Sequence, residues 1–97
     1  MRMTPDELKH RTKTFAVEVF KFSSKLPNHV EAQYVRGQLV RCGTAVASNY
    51  RASCRAKSRA DFVSKMTTVE EEADETLFWL EVLVDTDTGR ERRWRHL

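Results

Sequence analysis

Residues 58–85, SRADFVSKMTTVEEEADETLFWLEVLVD, decide the fold. Ser58 with Asp61 three residues on is the start signal of a helix. From there Phe62, Met66, Val69, Ala73, Thr76, Leu80 and Leu83 step by four and three, a heptad seam with no glycine or proline inside it. Leu77 and Val84 widen the stripe. The polar run Asp85-Thr86-Asp87-Thr88-Gly89 ends it, so the spacing predicts a helix over 59–85.

Working back, the same pattern recurs twice. Ala32, Val35, Leu39, Cys42 and Val46 form a seam that predicts a helix over 29–56, opened by Asn28 with Glu31 as a capping pair. This helix carries Gly37, Gly43, Thr44, Ala45, Ala47, Ser48 and Ala52, small side chains that allow a bulky neighbour to approach closely. A helix over 5–26 starts at Thr4-Pro5-Asp6-Glu7, a capping box with proline in the first helical position. Its seam is Leu8, Thr12, Phe15, Val19, Phe22 and Leu26, and Pro27 stops it. Phe15, Phe20 and Phe22 make this first helix the expected bulky neighbour. Three long helices joined by short turns must run up, down and up. The expected fold is therefore all-α, a single antiparallel helical-bundle domain over 1–97 with a short basic tail at 86–97. Wide apolar stripes on three helices leave a groove unless another helix or subunit fills it, so self-association is expected.

Composition narrows the function classes. The net charge of +3 is too small by itself to imply nucleic acid, but its distribution is uneven. Residues 36–65 hold seven basic groups and one acidic, whereas residues 66–88 hold eight acidic groups and no basic one. Antiparallel pairing about Lys57 places Arg41 against the acidic run Glu70, Glu71, Glu72, Asp74, Glu75, and Arg36 is a second candidate to offset it. That offset is needed because Glu70 with Asp74 and Glu71 with Glu75 are like-charge pairs one helical turn apart. Arg51, Arg55, Lys57 and Arg59 lie at the turn, beyond reach of that run. They are either a solvated cluster at a helix C-terminus or a site for an anion, which is a neighbouring subunit's acidic face or a phosphate backbone. Tyr50 beside them is a candidate to stack on a base, or a helix–helix contact.

Other chemistry is not signalled. His10, His29 and His96 have no metal-ligand spacing, and the Glu-x-x-His pairs of a bundle metal site are missing. No phosphate loop occurs, no small-molecule substrate is evident, and no catalytic or cofactor constellation is expected. Cys42 and Cys54 lie too far apart on one helix to be bridged and are expected reduced, in a cytoplasmic protein. No apolar run is long enough to span a bilayer, and no secretory leader precedes the first helix.

The central stretch RCGTAVASNYRASCRAKSRADF at 41–62 resembles the signature of the bacterial four helix bundle proteins. VEEEADET at 69–76, Trp79-Leu80-Glu81, Gln38, and the Leu26-Pro27 ending of the first helix extend the resemblance over most of 8–86. That family includes proteins encoded within intervening sequences of large-subunit ribosomal RNA genes. It is also similar to the accessory protein of diversity-generating retroelements. The resemblance implies an up-down bundle assembling as a ring-like homopentamer. For the retroelement relative it implies binding of nucleic acid and of a reverse transcriptase through a basic surface.

Carried onto this chain, the resemblance matches Asn49, Tyr50, Arg51, Arg55 and Ser58 to the motif around the second turn, with a role expected to be structural rather than catalytic, while the charge pattern itself makes Tyr50, Arg51, Arg55, Lys57 and Arg59, with Arg92 and Arg93 of the tail, the candidate surface for RNA or DNA. It makes Arg41, Glu70, Glu71 and Asp74 candidates for interfacial charge pairing. The family pattern continues into a fourth helix, from which this sequence is expected to depart after Asp85, another subunit then covering the groove. The alternative is a purely structural or protein-interaction module, for example one that binds a reverse transcriptase.

Overall fold

The structure, a computed structural model, describes residues 2–88. Three helices account for nearly all of them: α1 (Pro5–Ser24), α2 (Val30–Ser53) and α3 (Arg59–Thr86). Each start has a physical cause. The Thr4 hydroxyl accepts from Glu7 N–H at 3.1 Å and the Glu7 carboxylate accepts from Thr4 N–H at 3.2 Å, the reciprocal box expected. Ser58 accepts from Asp61 N–H at 3.0 Å, while the Asp61 carboxylate reaches past it to Lys57 N–H at 3.1 Å. At α2 the cap is His29, not Asn28: its Nδ1 accepts from Ala32 N–H at 3.3 Å. Asn28 instead accepts from the Gln33 side chain. At the other end of α3, Asp87 takes the left-handed conformation (φ 59°), and Thr88 N–H donates to the Leu83 carbonyl.

Alpha2 is the spine. Both other helices pack on it, with no comparably close backbone approach between α1 and α3. Val19 meets Gly43 while Ser23 meets Arg36, so α1 and α2 are antiparallel. Cys42 meets Thr76 while Tyr34 meets Trp79, so α2 and α3 are antiparallel too. The bundle is elongated, 55 × 22 × 21 Å.

The α2 seam is buried at every expected position, Ala32, Val35, Leu39, Cys42 and Val46. The α1 seam differs. Val19 and Leu26 are buried, but Ala16 and Ser23 take the places expected of Phe15 and Phe22, which are exposed. The reason is the closeness of the helices. A Cβ at Gly43 would lie 2.7 Å from Val19 Cγ1, a gap that admits no phenylalanine. So the small residues of α2 receive a β-branched side chain, and the bulky ones of α1 are turned to the flanks. The α1 C-terminus is closed by Arg36, whose Nε donates to the Ser23 carbonyl at 2.9 Å and Nη2 to the Leu26 carbonyl at 2.6 Å. Arg36 therefore satisfies orphan carbonyls and does not reach the acidic run.

The arrangement leaves apolar surface outside. All five phenylalanines are exposed, as are Leu77, Val84, Tyr34 and Val30. More large apolar side chains lie in water than in the core, so the described residues do not finish burying their own sequence. Taking 100° per residue and the right-handed screw of each helix, Phe15 and Phe22 on α1 border the same concave side as Phe62, Leu77, Leu80 and Val84 on α3. Near its C-terminal end this side forms an open groove lined by Leu77, Leu80, Glu81, Val84 and Asp85.

Candidate functional site: the basic turn and the charged clasp

The turn between α2 and α3 is set by local chemistry. Alpha2 ends at Ser53, whose buried hydroxyl donates back to the Tyr50 carbonyl at 2.6 Å. Arg55 N–H and Ala56 N–H then donate to the Ala52 and Ser53 carbonyls at 3.0 and 3.1 Å, winding one tight turn. Asp61 holds the far side, accepting from Lys57 N–H and from Lys65 Nζ at 2.6 Å. The result presents Arg51, Arg55, Lys57 and Arg59 together at one end of the rod. All four are exposed, and among the described residues none of them makes an ion pair.

Tyr50 does not join that surface. It is 6% exposed and faces the core, where burial, then the neighbouring Cys54 thiol, push its phenol above its ordinary value. Its role is the helix–helix contact, because its position on α2 shares the buried stripe with Leu39 and Val46. Asp6 acts on the same phenol, which places the acidic first turn of α1 at this end of the bundle. Arg92 and Arg93 lie outside the described residues.

On the outer side of α2 the charge pairing is specific. Arg41 Nη1 lies 3.2 Å from Glu72 Oε1, and Nη2 donates to Glu75 Oε2. The same Glu75 oxygen accepts from the Trp79 indole at 3.1 Å, and Gln38 accepts from Arg41 Nε. Trp79 is in turn edge-on to Tyr34 of α2 and Phe78 of α3. Within the chain Arg41 thus pairs with Glu72 and Glu75, not with Glu71 or Asp74. Thr76 marks the line of α3 that meets α2, and Glu71 and Asp74 lie roughly 140–160° around the helix from it. Glu70, Glu71 and Asp74 are exposed and make no ion pair among the described residues. Sequence order alone cannot separate the members of an acidic run. The α3 seam, which puts Thr76 toward α2, is the signal that picks out Glu72 and Glu75.

The clasp gives a pH dependence with a definite sign. The Glu75 carboxyl is held below its ordinary value, first by the hydrogen bond from Arg41 and then by the indole of Trp79. Asp61 is held low by Lys65 and by the backbone N–H of Lys57. A depressed folded-state value contributes stability that is complete above the unfolded carboxylate range, about pH 4, and is lost as pH falls through the folded values. The melting temperature should therefore be flat from pH 7 to about pH 5 and fall below it. Arg41→Ala should shrink that acid dependence while costing no more than about 1 kcal/mol at neutral pH, since the pair is solvent-screened. Melting followed by circular dichroism across pH, wild type against variant, checks both statements.

Among the described residues no three His, Cys, Asp or Glu side chains gather as a metal site. Cys42 is buried and Cys54 exposed, both free thiols. Among the described residues no helix is long and apolar enough to cross a membrane.

These features define a class: an all-α, up-down bundle with apolar surface outside and a cluster of four exposed cations at one turn. A model of the 23S rRNA-intervening sequence protein family matches residues 7–97, a span that includes the basic tail, and the chain belongs to that family. Among solved structures it is similar to a protein of unknown function from the S23 ribosomal protein family of Bacteroides thetaiotaomicron VPI-5482. The two are 31% identical, the match covers 97% of this chain and 84% of that one, and the TM-score is 0.80. Among curated proteins nothing matches the chain. No enzymatic family is indicated by these matches.

Proposed function

We propose that this chain is a non-enzymatic assembly protein of the cytoplasm that self-associates through its exposed apolar flanks and binds RNA at the turn between α2 and α3. The observation that carries the RNA half is the turn itself: four exposed cations, fixed by backbone hydrogen bonds, without acidic partners among the described residues. A positive end of this kind suits a phosphate backbone, which is bound mainly through charge and without sequence readout. The family's tie to intervening sequences of 23S rRNA makes RNA the first ligand to test. The exposure of all five phenylalanines supports the assembly half. The homopentamer is the expected form of that assembly, and the same apolar exposure favours a second reading, a module that docks protein partners such as a reverse transcriptase.

The test is fluorescence anisotropy of a labelled structured RNA at several salt concentrations, with wild type and with Arg51, Arg55, Lys57 and Arg59 all changed to alanine. Wild-type affinity should fall steeply with salt. Removing four phosphate contacts should flatten the slope of log affinity against log salt by about 3. Equal slopes and affinities for the two proteins would remove the turn from the reading and leave the protein-docking module.

A further inference from the structure

The outward side of α3 carries a second heptad line that the bundle does not use. Glu71, Asp74, Phe78, Glu81 and Asp85 step by three, four, three and four, so they form one ridge pointing away from α2. All five are exposed, Phe78 at 51%, and none of the four carboxylates has an ion-pair partner among the described residues. Glu81 and Asp85 are a like-charge pair one turn apart, and Glu71 opposes Glu75 in the same way, so the ridge works against its own helix. Alpha1 has the opposite ridge. Lys13, Val17, Phe20 and Lys21 lie on its outward side, all exposed, Phe20 at 56%. The two lysines have no ion-pair partner among the described residues either.

One ridge is acidic around a phenylalanine, and the other is basic around a valine and a phenylalanine. Alpha1 and α3 flank α2 with no close backbone approach to each other and turn these ridges outward, so a copy cannot satisfy its own pair. We infer that the α3 ridge of one copy docks the α1 ridge of a second copy, a head-to-tail contact between two different surfaces. Such a contact carries a rotation from copy to copy and closes a ring if the rotation permits. This deepens the assembly reading above and rests on it; the RNA-binding turn is not part of the contact.

The test is a reciprocal charge swap read by light scattering on a sizing column. One variant carries Lys13→Glu and Lys21→Glu. The other carries Glu71→Lys, Asp74→Lys and Glu81→Lys. Each alone should fall to the mass of one subunit at a concentration where wild type is larger, with the helical circular dichroism unchanged. All five substitutions together in one chain should recover the wild-type mass, because each ridge then meets its opposite again whatever the number of subunits in the ring. Wild type itself should lose mass between about 50 mM and 1 M salt, a reading that needs no variant. Wild-type mass in either variant alone, failure of the folded five-substitution variant to assemble, or a salt-independent wild-type mass overturns the contact while leaving assembly standing. A wild type that is monomeric throughout overturns both.

Discussion

Leu39→Ala is expected to cost about 3–5 kcal/mol, enough to bring a chain of this size close to unfolding at room temperature. Leu39 is fully buried in the middle of α2, the one helix that both others touch. It packs in a cluster with Val19 of α1, Val35 of its own helix and Leu83 of α3. Truncation therefore opens a cavity bordered by all three helices, and no single side chain can move to fill it. For a domain of this length each kcal/mol shifts the melting temperature by about 4–8 °C, so a fall of more than 10 °C is expected by circular dichroism. Val30→Ala is the control. An apolar side chain is again lost, but from an exposed position outside both contact ridges, and the fold should change in stability by no more than about 0.5 kcal/mol. A chain in which Val30→Ala costs more than Leu39→Ala does not have this core.

Two glycines in the same helix should respond to alanine with opposite signs. Intrinsic propensity favours alanine at both by about 1 kcal/mol. At Gly37 a Cβ would meet nothing within 4 Å, so Gly37→Ala should realise that gain. At Gly43 the new atom would stand 2.7 Å from Val19 Cγ1 and 3.0 Å from Val19 Cβ. Those atoms form the stem of a buried, β-branched side chain that cannot swing aside, so the helices themselves must part. Overpacking of this kind costs about 1–3 kcal/mol, which outweighs the propensity gain, and Gly43→Leu should fail to fold. In Gly43→Ala combined with Val19→Ala the 2.7 Å contact with Cγ1 is gone and only the 3.0 Å approach of the two Cβ atoms remains, so the double variant should be more stable than the sum of the two single effects. Urea unfolding of wild type, Gly37→Ala, Gly43→Ala, Val19→Ala and the double variant decides this; equal and stabilising effects at both glycines would show that α1 does not approach α2 as closely as the structure has it.

These two sites also show what the sequence could say. The caps at Thr4 and Ser58 and the seam from Ala32 to Val46 were legible because each depends on residues a few positions apart on one helix. The choice between Phe15 and Ala16, or Phe22 and Ser23, was not. It turns on the distance between two helices, and that distance is set by Gly43 and Val19, which are 24 positions apart in sequence. Hydrophobicity alone ranks phenylalanine above alanine for the core, and close packing reverses the order. The charged residues divide the same way. Antiparallel counting brings Arg41 to the acidic run, but only the rotational phase of α3, marked by Thr76 against Cys42, selects Glu72 and Glu75. Tyr50 sits in the sequence beside Arg51 and so invites a shared role, yet one step along a helix turns a side chain by about 100°, from solvent into the core.

The acidic ridge around Phe78 and the basic turn at Arg51–Arg59 are exposed and make no ion pair among the described residues. The proposed partners differ, a second copy for the first and RNA for the second, and both proposals place this chain in an assembly. The most direct test is the native mass of the wild-type protein by size-exclusion chromatography with multi-angle light scattering, in moderate salt and across a tenfold range of concentration. The expected mass is a fixed multiple of the 11.3 kDa subunit, five-fold in the expected form. A single species of 11.3 kDa over the whole range would contradict it.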